Sequence, residues 1–189
     1  MSKIFKTSFF VFFILIVAQP SYANQAIEKQ IDNIKANVIF IRHALAPGYG
    51  DPENFNLQDC LSQRNLDKVG KEQAQMIGQY FIKNKISFIE ILTSEWCRCI
   101  DTAREMNIGI SNTFDGLNSF FKDYSSKSNI MKKLNLKLSK LSGKNLTLMI
   151  THQVVISEVT NITPPSGGIV LYNSLNKTAS EFKITDLYE

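Results

Sequence analysis

His43 and His152 are the only histidines in the 189-residue sequence, and each directly follows a short apolar run. The two runs are 38–42 and 146–151. Apolar, β-branched runs of this length are typical of buried strands in an α/β sheet, where ligands gather at the carboxyl ends of the strands. If the two strands are neighbours, the imidazole rings face each other and form one site.

Two arginines accompany the histidines at predicted strand ends. Arg42 precedes His43, and Arg98 follows the predicted strand 88–93. An arginine fork binds phosphate or carboxylate through two parallel hydrogen bonds, and two arginines around an imidazole suit a tetrahedral phosphoryl group. No paired carboxylate stands beside them in the sequence. Because nearby positive charge disfavours the imidazolium, a histidine in this setting remains neutral near pH 7 and is nucleophilic.

The N-terminus has the pattern of a secretory signal. Two lysines precede the apolar stretch 9–18, and small residues at positions 21 and 23 predict cleavage after Ala23. The stretch is short of the roughly 20 apolar residues of a membrane-spanning helix, which makes a retained anchor the alternative reading. We therefore expect a signal peptide at 1–23 and a single domain at 24–189.

Predicted export places the protein in the periplasm or outside the cell, with no membrane span after cleavage. The signal contains two lysines and no acid, so its removal lowers the formal net charge from +4 to +2. Such a mildly basic chain gives no reason to expect nucleic acid as a partner. The sequence does not indicate an oligomeric state.

Three cysteines, Cys60, Cys97 and Cys99, form an odd-numbered set. In an oxidising compartment, two of them can form a disulfide and leave one thiol. Cys60 paired with either Cys97 or Cys99 would tie a long loop to a strand end, and three buried thiols are the alternative. A closed zinc site usually takes four ligands in well-spaced pairs, so these cysteines do not favour a metal.

Strands and helices alternate along the chain without an internal repeat or an interdomain linker, which predicts an α/β domain. Helices are predicted from Asp67 as the capping residue, and over 98–106, 130–141 and 154–160; further strands are predicted at 168–172 and 181–187. The polar loop 45–65 is long enough to be functional. The aromatic stretch 114–124 is expected to cover the site or to join the core.

Four segments in this order resemble the signatures of the histidine phosphatase superfamily: 41–44, 66–74, 94–103 and 150–152. The resemblance extends over about 37–172, nearly the whole predicted domain. It implies the phosphoglycerate mutase-like fold, a three-layer α/β/α arrangement around a central, mostly parallel sheet. It also implies a phosphatase that needs no metal and no organic cofactor.

The resemblance further assigns roles to the four strand-end residues. His43 would attack phosphorus and form a phosphohistidine that water then hydrolyses. Arg42, Arg98 and His152 would hold the phosphoryl oxygens and stabilise the charge in transit. Arg64 either extends this pocket or only solvates a loop, and we favour the loop. The only tryptophan, Trp96, is expected to pack rather than to contact substrate.

Three positions depart from the family pattern. Ala44 stands where the family usually has glycine, and Gln153, rather than glycine, follows the second histidine, either to donate to substrate or only to continue into the next helix. Ser119 stands where many members carry a general-acid glutamate. Possible substitutes for that acid are Glu95, Asp115 and Asp123.

Two functions remain open on these residues. The first is an exported phosphatase that acts on a phosphomonoester or a phosphoramidate in a small molecule, an envelope component or a phosphoprotein. If no acid reaches the leaving group, its better substrates are phosphoramidates, acyl phosphates and aryl phosphates. The alternative is a non-catalytic domain that binds a phosphorylated ligand.

Overall fold

A six-stranded sheet forms the centre of the computed structural model, which describes residues 24–143 and 145–184. The strands are β1 (Val38–Arg42), β2 (Glu90–Thr93), β3 (Asn112–Thr113), β4 (Thr147–Thr151), β5 (Ile169–Asn173) and β6 (Thr178–Phe182). The helices are α1 (Asn24–Ile34), α2 (Lys68–Lys83), α3 (Cys97–Met106), α4 (Lys127–Leu138) and α5 (Gln153–Thr160). The strand order is β3-β2-β4-β1-β5-β6. The first four strands are parallel, and β5 pairs antiparallel with both β1 and β6. The predicted α/β class with a mostly parallel sheet is confirmed.

The central strand β1 is buried on both faces, and its side chains alternate between two cores. Ile39 and Ile41 pack in a core with residues of α1, α2 and α3. Val38 and Phe40 pack on the opposite face with residues of α4 and α5. The helices therefore cover both faces of the sheet, which gives the three-layer arrangement and explains the uninterrupted apolar sequence of the strand.

The pairing of β1 with β4 brings the two histidines together. These strands are parallel neighbours, with Arg42 opposite Thr151 in the register. His43 and His152 are the next residues, so both leave the sheet at its carboxyl edge. The His43 amide also donates a hydrogen bond to the Thr151 carbonyl at 2.9 Å, which extends the pairing to the histidine itself.

The predicted helix after Asp67 is confirmed, with the Asp67 side chain accepting a hydrogen bond from the Gly70 amide at 2.8 Å. Three elements differ from the prediction. The helix α1 and the two-residue strand β3 were not predicted. The strand β6 begins and ends earlier than the predicted strand 181–187. The prediction missed its position because β6 contains no apolar run. The signal-peptide prediction and residues 185–187 lie outside the described part of the chain. No described helix has the length and apolarity to cross a membrane.

Candidate active site

A cleft of about 280 Å³ opens at the carboxyl edge of β1 and β4. Its wall contains all four residues predicted for the site, which are Arg42, His43, Arg98 and His152. The His43 and His152 ring centroids are 5.5 Å apart in an edge-to-face arrangement. Residues that are more than 100 positions apart in sequence thus form one site.

His43 is held in one tautomer by the backbone. Its Nδ1 lies 2.8 Å from the Ala44 carbonyl oxygen, which can only accept, so Nδ1 carries the proton. Nε2 then has a lone pair, and it has no hydrogen-bond partner among the described residues. Burial, followed by the positive charge of Arg98, lowers the pKa of His43 well below 6.5. The ring is therefore neutral at pH 7, with Nε2 free to act as a nucleophile.

His152 is oriented by a chain of polar side chains. Its Nδ1 lies 3.4 Å from a terminal nitrogen of Arg98, which can only donate, so the proton is on Nε2. Nε2 donates to the Ser94 hydroxyl at 2.9 Å, and that hydroxyl donates to the Asn118 side-chain oxygen at 3.1 Å. Burial, and then Arg98, lower the pKa of His152 well below 6.5. This second ring is neutral as well.

Arg98 has a carboxylate partner, contrary to the sequence prediction of cations without one. The Asp51 carboxylate meets the Arg98 fork at 2.8 and 3.2 Å, and both side chains are almost fully buried. The pair could not be predicted, because Asp51 lies 47 positions away within the polar loop. The loop is folded back over α3, and its carboxylate becomes part of the cleft wall.

Two buried guanidinium N–H groups in the cleft have no hydrogen-bond partner among the described residues. They are the Nε atoms of Arg42 and Arg98. An unsatisfied buried donor costs free energy. Neither nitrogen is accessible to solvent, so neither is open to a ligand in the cleft in this structure. Repulsion between Arg42 and Arg98 contributes, after burial, to a lowered pKa of Arg42. Three guanidinium groups in its wall give the cleft the positive charge to attract an oxyanion.

Arg64 also lines the cleft, so its interpretation as only a loop residue is incomplete. Its Nε donates to the Gly50 carbonyl at 2.9 Å, and a terminal nitrogen donates to the Ala46 carbonyl. These bonds hold the loop while the guanidinium remains in the wall. Sequence position just before α2 was the available signal for this role.

None of the three predicted substitutes for the missing acid lines the cleft. Asp115 is ion-paired with Lys133, Glu95 accepts a hydrogen bond from Asn118 at 2.6 Å, and Asp123 lies outside the wall. Ser119 does line the cleft, with its hydroxyl accepting a hydrogen bond from the Phe121 amide at 3.3 Å. Among the described residues, Asp51 is therefore the one carboxylate in the wall.

The other two departures from the family pattern have clear positions. Ala44 is fully buried and its amide donates to the Thr102 hydroxyl at 3.0 Å, so the methyl group is accommodated outside the cleft wall. Gln153 is the first residue of α5 and lines the cleft. Its side-chain nitrogen donates to the Pro164 carbonyl at 3.2 Å, a carbonyl that also accepts from Arg42.

A disulfide joins Cys60 to Cys97 and fastens the loop to the first residue of α3. Of the two partners left open by the sequence, Cys97 is thus the one used. Cys99 is a buried thiol whose pKa is raised to about 12, chiefly by burial. Trp96 packs in the core, stacked on Phe55 with ring centroids 5.2 Å apart, in agreement with the packing role expected for it.

Aromatic side chains form the rim of the cleft. The rings of Tyr49 and Phe121 meet edge to face at 5.3 Å, and the Lys122 ammonium lies 5.0 Å from the Tyr49 ring centre. Tyr49 is largely exposed, whereas Leu117 from the same aromatic stretch as Phe121 is buried against α4. The stretch 114–124 therefore contributes to both the core and the cleft.

Solved structures of histidine phosphatase superfamily members share this fold. The protein histidine phosphatase SixA complexed with tungstate is 17% identical, with a TM-score of 0.52, over 77% of this chain and 94% of that one. A phosphoserine phosphatase from Entamoeba histolytica in complex with 3-phosphoglyceric acid is 14% identical, with a TM-score of 0.56, over 79% and 98%. A phosphoglycerate mutase from Thermus thermophilus is 12% identical, with a TM-score of 0.54, over 78% and 98%.

Neither a protein-family model nor a curated protein matches the sequence. At these low identities, the structural likeness defines the fold alone. The chain has the phosphoglycerate mutase-like fold of the histidine phosphatase superfamily, as the resemblance of its four segments implied.

Proposed function

We propose that this protein is a phosphatase that forms a phosphohistidine on His43. The observation that carries the proposal is the free Nε2 lone pair of a neutral imidazole in a cleft whose wall contains three guanidinium groups. Two of the structurally similar proteins, SixA and the phosphoserine phosphatase, are named as phosphatases, which supports the same reaction class. The positions of Arg42, Arg98 and His152 in the same wall support their assignment to the phosphoryl group.

The reaction has two displacements at phosphorus. In the first, the His43 Nε2 lone pair forms the P–N bond while the bond from phosphorus to the leaving group breaks. The ring becomes positively charged, and the hydrogen bond from Nδ1 to the Ala44 carbonyl stabilises that charge. In the second, water attacks phosphorus, the P–N bond breaks, and the electron pair returns to Nε2. The net reaction transfers one proton from water to the leaving group.

The leaving group departs without help from a carboxylic acid. The Asp51 carboxylate accepts hydrogen bonds from four N–H groups, which occupy the lone-pair positions of both oxygens and leave neither directed at a leaving group. We therefore infer that the substrate has a leaving group that is stable as an anion, as in an aryl or acyl phosphate, or one protonated on nitrogen, as in a phosphoramidate. The aromatic rim formed by Tyr49 and Phe121 suits a flat aryl group.

We further propose that the protein acts after export, in the periplasm or outside the cell, on a phosphorylated small molecule or envelope component. The N-terminal signal pattern and the Cys60–Cys97 disulfide support this location, because disulfides persist in oxidising compartments. The residues proposed to react are all protein side chains, so the mechanism requires no metal or organic cofactor.

Hydrolysis of para-nitrophenyl phosphate by the purified protein tests the proposal. We expect turnover that His43→Ala lowers by about 10³-fold or more. Asp67→Asn, at the cap of α2, is the control and should retain most of the activity. Phosphate binding without turnover would instead support a non-catalytic domain that binds a phosphorylated ligand. This is the second candidate because the described residues of the cleft include no free carboxylic acid.

A further inference from the structure

Asp51 has an unusually complete set of hydrogen bonds for a residue in a cleft wall. One carboxylate oxygen accepts from Arg98 at 2.8 Å and from the Arg64 amide at 3.0 Å. The other accepts from Arg98 at 3.2 Å and from the Trp96 indole at 3.1 Å. A carboxylate has about four lone-pair positions, so these bonds use its full capacity. Its side chain is 1% exposed and ion-paired with Arg98, so it is held firmly in the wall.

The pairing changes what Arg98 can offer to a ligand. Both terminal nitrogens of its fork meet Asp51, and their other contacts are the Arg64 carbonyl and His152, each at 3.4 Å. The Nε of Arg98 is the donor without a partner among the described residues. The two-pronged fork that the sequence suggested for a phosphoryl group is therefore occupied by Asp51, and Arg98 acts on a ligand in the cleft through its charge.

The pairing also sets the charge of the cleft. Its ionised wall residues are Arg42, Arg64, Arg98 and Asp51, and both histidines are neutral. Three cations and one anion leave a net charge of +2, which equals in magnitude the charge of a phosphomonoester dianion or of the hydrogen phosphate product. Without the carboxylate the net charge would be +3, and product phosphate would be held more tightly.

We propose that Asp51 is a built-in counter-ion that matches the cleft to a phosphate dianion and allows the product to leave. The inference rests on the proposed function, since it concerns the same cleft. Asp51 acts on the ligand through charge and through Arg98, so it is a positioning residue and not a reacting group. Its effect is to weaken phosphate binding, which separates it from a residue that only supports the fold.

Orthophosphate binding to Asp51→Asn tests this counter-ion role. The substitution keeps the shape of the side chain and removes one negative charge, so the dissociation constant for orthophosphate, measured by calorimetry, should fall by about tenfold. Glu53→Gln makes the same change of charge on an exposed residue of the same loop and should leave that constant unchanged. Unchanged or weaker binding by folded Asp51→Asn would overturn the inference.

A second variant covers the case in which Asp51→Asn does not fold. Arg98→Gln combined with Asp51→Asn removes both buried charges together, so neither is left unpaired, and keeps the cleft at +2. It should bind orthophosphate within about tenfold of the wild type, at least tenfold more tightly than Arg98→Gln alone. If the double variant bound orthophosphate more than about 100-fold more weakly than the wild type, a role of Asp51 through charge would be contradicted.

The proposed function and this inference fail in different ways. If the wild-type protein neither binds orthophosphate nor turns over a phosphate ester, the proposed function fails. If the wild type does both but removal of the Asp51 charge does not tighten orthophosphate binding, only the counter-ion role fails. Binding is measured at equilibrium without a substrate, so slow chemistry does not affect the comparison.

Discussion

The Cα of Gly70 faces the Leu45 carbonyl so closely that a Cβ atom would lie 1.9 Å from its oxygen. Leu45 is two residues after His43, and its amide donates to the Gln73 side chain at 2.9 Å. One turn of α2 thus holds the backbone that follows the proposed nucleophile. Glycine is required here for close approach of the backbones, not for an unusual backbone angle.

Substitution of this glycine should reduce both stability and activity. Gly70→Ala forces the loop away from α2, and we expect a loss of about 1 to 3 kcal/mol in the free energy of unfolding. Gly78→Ala is a matched control, because its Cβ would lie 1.9 Å from the Met106 carbonyl oxygen, away from the cleft. Both variants should unfold more easily by thermal denaturation. Only Gly70→Ala should lower kcat/KM at a temperature where both are folded, and equal kcat/KM values would refute this.

The Cys60–Cys97 disulfide should contribute strongly to stability. It closes a loop with a sequence separation of 37, for which chain entropy predicts about 4 kcal/mol. Cys60→Ser should therefore lower the free energy of unfolding by about that amount in denaturant titrations. Reductant should destabilise the wild type but not Cys60→Ser. A wild-type protein that is insensitive to reductant under unfolding conditions would show that the bond contributes little.

Turnover should depend steeply on the leaving group. With no free carboxylic acid among the described residues of the cleft wall, aryl phosphates should exceed alkyl phosphates in kcat/KM by about 10²-fold or more. A series of aryl phosphates with phenols of different acidity measures the effect directly, and more acidic phenols should react faster. A flat dependence, with alkyl and aryl esters turned over equally well, would mean that a proton donor reaches the leaving group.

Stability should decrease in mild acid because of the two histidines. Both have a pKa well below 6.5 in the folded state, so the unfolded chain binds more protons between the folded pKa and 6.5. The contribution of the two histidines to the free energy of unfolding is fully present above pH 6.5. It falls as the pH falls from 6.5 towards the folded-state pKa, by up to about 1.4 kcal/mol per pH unit for each histidine. Denaturant titrations from pH 7 to pH 5 measure this slope. His43→Gln should reduce it, and the same slope in that variant would assign it to other groups.

The sequence predicted best what depends on local pattern. The apolar runs of β1 and β4 and the capped start of α2 are visible in single segments, and parallel pairing follows from the alternation of strands and helices. The strand β6 was placed too late because its exposed edge carries polar residues. The prediction of unpaired cations failed at Arg98, since its pairing with Asp51 depends on how the loop folds over α3.

The choice of disulfide partner shows the same limit. Successive helical residues are rotated by about 100°, so Cys97 and Cys99 point about 160° apart and only one can face the loop. Sequence spacing does not say which. The structure places Cys97 at the start of α3 beside the loop and Cys99 in the core.

Detection of phosphate on His43 is the most direct measurement of the proposed chemistry. Rapid acid-free quenching during turnover of an aryl phosphate, followed by mass spectrometry, should find one acid-labile phosphoryl group on the peptide that contains His43. His43→Ala should carry none. Steady turnover without any phosphoryl group on His43, or the same label in His43→Ala, would contradict the account.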